Sequence, residues 1–163
     1  MAQNFFVNTA TVGVDLNNQS TTALFALGTH LLGTQDTEWV YVTTNTSVVG
    51  QTMVAINTTY TAGMASAADV INGLQLATAQ TSISSQAFGW VALRGLNLTV
   101  AATGTSSVVS ANICVAGSGV PTGVVSAVFT TSGSLAGIQY LPLTSTGSLA
   151  TVIMTWPRGA ASA

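Results

Sequence analysis

The chain contains no lysine and only two arginines, four acidic residues and one histidine, so charged side chains make up 4% of its 163 residues. Soluble proteins typically carry about 25%. The lack of lysine excludes a P-loop, a Schiff base and a lysine general base. With no cluster of cations, nucleic acid is excluded as a partner, because phosphate binding is built from many Lys and Arg contacts. His30, in ALGTHLLG, is the sole histidine. No G-x-S-x-G elbow accompanies it, so it reads as a hydrogen-bonded structural residue and not as a catalytic base. One histidine and one cysteine do not make a zinc-ligand set. Cys114 has no intrachain disulfide partner, and its place in the apolar run ANICVAG marks it as a small buried hydrophobe.

Long hydrophobic runs are missing too. A membrane-spanning helix needs about 20 mostly apolar residues. The closest segment, MASAADVINGLQLATAQ, is broken by Asp69, Asn72, Gly73 and Gln75. The start, MAQNFFVNTATVGVD, has neither the basic n-region nor the apolar h-region of a secretory signal. A soluble chain with no membrane partner is expected.

In place of charge the chain has hydroxyls: Ser and Thr together form about a quarter of it. A formal net charge of -2 does little to hold copies apart. Such a surface suits a protein that sits on another surface or on copies of itself.

Short apolar runs separated by Gly and Ser turns recur at intervals of roughly 8 to 12 residues, which predicts an all-β, single-domain β-sandwich or open β-barrel. The clearest strand is EWVYVT, Glu38 to Thr43, in which Val40 and Val42 point one way and Trp39 and Tyr41 the other. Both faces are apolar, so both should be covered. Further strands read as TMVAIN, YTAGM, LQLATAQ, FGWVALR, LNLTVAA, VVSANICVA, VVSAVFT, GIQYLPL and LATVIMTW. In SAADVINGL a single helical turn is expected, with Ser66 as N-cap, Asp69 in the first turn and Gly73 as the stop. Residues 1–22, rich in Asn, Thr and Gln, read as an extended N-terminal arm, residues 23–158 as the β domain and residues 159–163 as a flexible C-terminal tail.

Few residues are left as candidates for chemistry. Asp36 and Glu38, in GTQDTEW, fall on one side of an extended strand. With loop carbonyls they could hold calcium, but a turn carrying a solvated Asp is the plainer reading. GSGVPTG, Gly117 to Gly123, lacks the spacing and the following helix of a dinucleotide fingerprint. Both arginines follow a tryptophan: Arg94 ends the strand carrying Trp90, and Arg158 follows Trp156 and Pro157. Alternation puts Trp90, Ala92 and Arg94 on one face, with Val91 and Leu93 on the other. Arg94 is therefore expected to cap carbonyls or to pair with one of the few carboxylates at a strand end. Phe5, Phe6, Trp39, Tyr41, Trp90, Arg94, Trp156 and Arg158 are the candidate structural or interface residues.

GTHLLGTQDTEWVYV, TMVAINTTYTA, FGWVALRG and the closing TWPRG, in that order over residues 24 to 158, resemble a family of small tailed-phage virion proteins of the head decoration, or capsid cement-like, type. FGWVALRG is the most specific of these pieces. The neutral TSISSQA before it departs from the family's more charged pattern, which bears on any partner contact made through charge. The resemblance implies a non-enzymatic protein without a cofactor. It would be made in the host cytoplasm and would bind the outer surface of an assembled capsid in many copies. The implied partners are the major capsid protein and copies of itself, a homo-oligomer for which a trimer is one open form. The alternative is another virion module, tail- or fibre-associated, whose exposed Trp and Tyr stack on host surface glycans.

Overall fold

In a β-strand, successive side chains alternate faces, so a run apolar at every position must be covered on both sides. Several segments of this chain have that character, and they generate two apolar layers. The computed structural model describes residues 7–8, 14–34, 36–66, 68–69, 72–103, 125–126, 135–140 and 149–159. Ten strands are found there: β1 (Val7–Asn8), β2 (His30–Leu32), β3 (Glu38–Thr44), β4 (Thr52–Ile56), β5 (Thr61–Met64), β6 (Gln75–Ala79), β7 (Phe88–Thr103), β8 (Val125–Ser126), β9 (Leu135–Tyr140) and β10 (Leu149–Gly159).

Five of them close on themselves. β3 pairs with β5 in parallel, β5 with β4 and β4 with β6 antiparallel, and β6 and β3 each pair antiparallel with β7. The fold is thus an all-β barrel. Of the two architectures left open by the sequence, the chain adopts a barrel, and it is a closed one. Closure removes the free edges that an open sheet would expose.

One cluster of buried side chains draws on all five strands of the ring: Val40 and Val42, Val54 and Ile56, Ala62, Ala77 and Ala79, and Val91 and Leu93. This is the barrel interior, and its alanines leave room for the β-branched residues opposite. The alternate positions form a second cluster on the outer face, with Trp39 and Tyr41, Met53 and Ala55, Leu76, and Trp90 and Ala92. Leu98 and Val100 from the far half of β7 and Met154 from β10 join this outer layer. Both faces of EWVYVT are covered, as its pattern predicts.

The expected strands FGWVALR and LNLTVAA are one continuous strand, β7. Gly95 between them adopts a φ of 150°, and a Cβ there would run into Thr37. Glycine therefore lets one strand continue through this point, where its ladders with β3 and β10 each shift register. β10 pairs with β7 across this irregularity, Met154 with Gly95 and Leu149 with Ala101, and it touches β6 at Arg158↔Gln75. β2, which no alternating run announces, adds to β3 through His30↔Val40 and Leu32↔Glu38, and β1 adds to β2 in parallel. The cap expected at Ser66 is present. Asp69 Oδ2 accepts from both the amide and the hydroxyl of Ser66, the Asp69 amide returns to Ser66 Oγ, and Gly73 stands at φ 67° where the turn ends.

Within the N-terminal arm, Val14 and Leu16 pack against the outer layer. Ser20 and Phe88 exchange backbone bonds of 3.0 and 2.8 Å, and the Ser84 amide donates to Gln19 Oε1 at 2.6 Å. This part of the arm lies along the barrel. Phe5, Phe6 and Cys114 lie outside the described residues. Trp156 and Arg158 are on β10.

Candidate functional site

His30, Asp36, Glu38 and Arg94 converge at one corner. Glu38 begins β3 opposite Arg94, and the ladder shifts between Glu38 and Trp39, so that Trp39 faces Ala92 and Leu93 is the extra residue. Such a bulge re-aims the neighbouring side chains. Arg94 Nε donates to Glu38 Oε2 at 3.2 Å, and His30 Nδ1 lies 2.7 Å from Glu38 Oε1. The Arg94 guanidinium also reaches Asp36, with Nη2 at 3.2 Å from Oδ1. Asp36 sits in the turn between β2 and β3 at φ 55°, a left-handed conformation that Asp and Asn adopt more readily than most residues. This turn is locked by Gly33 and Thr37 amide bonds and by the Thr37 hydroxyl on the Thr34 carbonyl at 2.7 Å.

The Glu38 side chain is only 10% exposed, whereas that of Asp36 is 69% exposed. Glu38 is therefore the buried carboxylate that requires partners, and Arg94 and His30 supply them. Arg94 makes the expected pairing with a carboxylate, from within β7 to the first residue of β3, and His30 makes a hydrogen bond as expected. Asp36 is the solvated Asp of a turn. Among the described residues no group of three or more His, Cys, Asp or Glu is arranged to hold a metal ion.

Trp39, Tyr41 and Trp90, candidates for contact with a partner, are all buried in the outer layer. They do not offer the exposed rings that glycan stacking by Trp and Tyr would use. Trp39 Nε1 is buried, facing Gly33, without a hydrogen-bond partner among the described residues. Among the described residues the accessible aromatics are others: Phe25 and Phe88 are half-buried, and Tyr60 is 38% exposed.

Phe25 is central to an aromatic nest. Its ring centroid lies 5.3 Å from those of both Tyr41 and Trp90, edge-on to the former, while Tyr41 stacks on Phe88 with an interplanar angle of 15°. Above these rings a cleft of about 420 Å³ opens, walled on its other side by Val14, Asp15, Asn18 and Gln19. Beside it runs an apolar rim. Leu24 is 65% exposed and Leu27 38% exposed, on a loop fixed by the Leu24 amide on the Tyr41 hydroxyl and the Gly28 amide on the Tyr41 carbonyl. The Tyr60 ring rests against Gly28, which stands at φ 79° and has no room for a Cβ. Tyr60 itself is held at φ 58° because Asn57 Oδ1 accepts from the amides of both Thr59 and Thr61. A left-handed aromatic residue is strained, and the asparagine-built loop NTTYT maintains it in an exposed position.

Sequence reasoning missed Leu24, Phe25, Leu27 and Tyr60. Only Tyr60 had a legible signal, since Asn followed by Thr-Thr is turn chemistry. No family model matches this chain, and neither a curated protein nor a solved structure does. Among the described residues, no helix is long and apolar enough to cross a membrane.

Proposed function

We propose that the chain is a non-enzymatic capsid decoration protein that binds the outer surface of an assembled phage head and stabilises it. Its partners are the major capsid protein and further copies of itself. The observation that carries this reading is the contrast between the two surface features just described. His30, Asp36, Glu38 and Arg94 are gathered into a clamp around Glu38, whereas the neutral rim of Leu24, Leu27 and Tyr60 is displayed on loops fixed to a closed barrel. A rigid, uncharged, partly apolar rim binds by burying surface, with little ionic contribution. Binding only the assembled shell stabilises that shell by mass action. The resemblance of FGWVALRG and its flanking segments to virion decoration proteins points the same way. Electron cryomicroscopy of purified particles tests the reading. Many copies of the barrel on the outer head support it, and density restricted to the tail, or found nowhere on the particle, refutes it.

A further inference from the structure

The cleft above the aromatic nest has features that the capsid reading leaves unused. Its volume of about 420 Å³ is that of a small-ligand pocket. One wall presents the half-buried rings of Phe25 and Phe88, and the other presents the Asp15 carboxylate and the Asn18 carboxamide. Asp15 Oδ1 accepts from the Asn17 amide at 2.9 Å, and its second oxygen has no donor among the described residues. The Tyr41 hydroxyl receives the Leu24 amide at 3.1 Å, but its own proton has no acceptor among the described residues, although Tyr41 is only 2% exposed. A ligand oxygen seated in the cleft can accept that proton.

These groups define their complement. The ligand has an apolar face of C–H groups to lie on a phenyl ring, an oxygen at its edge to accept from Tyr41, and a hydroxyl to donate to Asp15. The cleft lining holds one carboxylate and no cation, which selects against anionic ligands. We propose that this cleft binds a neutral hexopyranoside, with a face of the sugar on Phe25 or Phe88, one ring hydroxyl on the Tyr41 hydroxyl and another on Asp15. The assignment does not depend on the capsid reading, because a decoration protein and a tail-associated module can each carry such a site.

Saturation-transfer NMR on the full chain tests it, with the methyl α- and β-glycosides of glucose, galactose and mannose as ligands and methyl glucuronide as the anionic comparator. Transfer to the C–H protons of one face of at least one neutral glycoside is expected, with weaker transfer to the glucuronide. Tyr41→Phe keeps the ring stack and removes only the hydroxyl, and Asp15→Asn removes only the charge. Each is expected to weaken binding about tenfold, the effect of one lost hydrogen bond. No transfer to any neutral glycoside, equal transfer to the glucuronide, or unchanged binding in both variants would each overturn the proposal.

Discussion

Arg94 and Glu38 stand opposite each other where the β3–β7 ladder bulges, and the two oxygens of the Glu38 carboxylate are divided between Arg94 Nε and His30 Nδ1. The arrangement explains why a chain so poor in charge retains an arginine at the end of the apolar run FGWVALR, within β7. Glu38 is buried by the turn that packs Thr37 against Gly95, and a buried carboxylate is tolerated only with partners on its lone pairs.

Arg94→Met therefore leaves Glu38 buried with His30 alone. The expected loss is about 2 kcal/mol, within the range for removing one partner of a partly buried pair. For a domain of this size that lowers the melting temperature by roughly 4–8 °C. Arg94→Lys should recover part of the loss, since a point charge replaces a two-sided guanidinium. Asp36→Asn keeps a residue suited to the left-handed turn and removes only an exposed pair, so its effect should stay within about 0.5 kcal/mol. Thermal denaturation of the three variants checks this order; equal losses for Arg94→Met and Asp36→Asn would contradict it.

Two glycines should respond in opposite directions. At Gly95 a methyl group meets Thr37, and φ is 150°, so Gly95→Ala is expected to cost more than about 2 kcal/mol. At Gly63 in β5 an added methyl group would meet nothing within 4 Å, and φ is not positive. There Gly63→Ala should stabilise by about 0.5 kcal/mol, through the entropy of the unfolded chain. Urea denaturation midpoints for the pair provide the measurement.

The outer layer contains a buried hydroxyl satisfied only by sulfur. Thr78 is fully buried, and its Oγ1 lies 3.4 Å from Met53 Sδ and 3.1 Å from Met154 Sδ. Replacing both methionines by leucine removes the acceptors and should cost about 2 kcal/mol while Thr78 is present. With Thr78→Val added, the same double change should cost less than about 1 kcal/mol, because no orphaned donor remains. A double-mutant cycle on chemical denaturation reads the difference as coupling; additive values would show that the sulfurs play no part.

The strands and their covered faces were legible because Val40, Val42, Trp39 and Tyr41 alternate without a polar break. Barrel closure was not, since it depends on β3 pairing in parallel with β5 on one edge and antiparallel with β7 on the other. No local pattern encodes such a choice. Gly95 misled in a specific way: a glycine between two apolar runs usually marks a turn, but here it lies inside one continuous strand, in close contact with Thr37. Scarcity made Arg94 conspicuous, and its pairing with a carboxylate at a strand end followed from chemistry alone. Which carboxylate was decided by the bulge. The cleft was hidden because Asp15, Phe25, Tyr41 and Phe88 are distant along the chain and meet only when the arm lies on the barrel.

The capsid reading rests on a neutral contact surface, so salt dependence is its most direct examination. The purified protein should co-sediment with assembled empty heads and not with unassembled capsid subunits. Binding should change less than about threefold between roughly 0.05 and 0.5 M salt, conditions that screen exposed ionic contacts strongly. Leu24→Ser combined with Tyr60→Ser should weaken binding by about tenfold or more while the melting temperature stays within about 3 °C of the parent, because both side chains are exposed. Binding that collapses with added salt, or that survives the double substitution unchanged, would contradict the account.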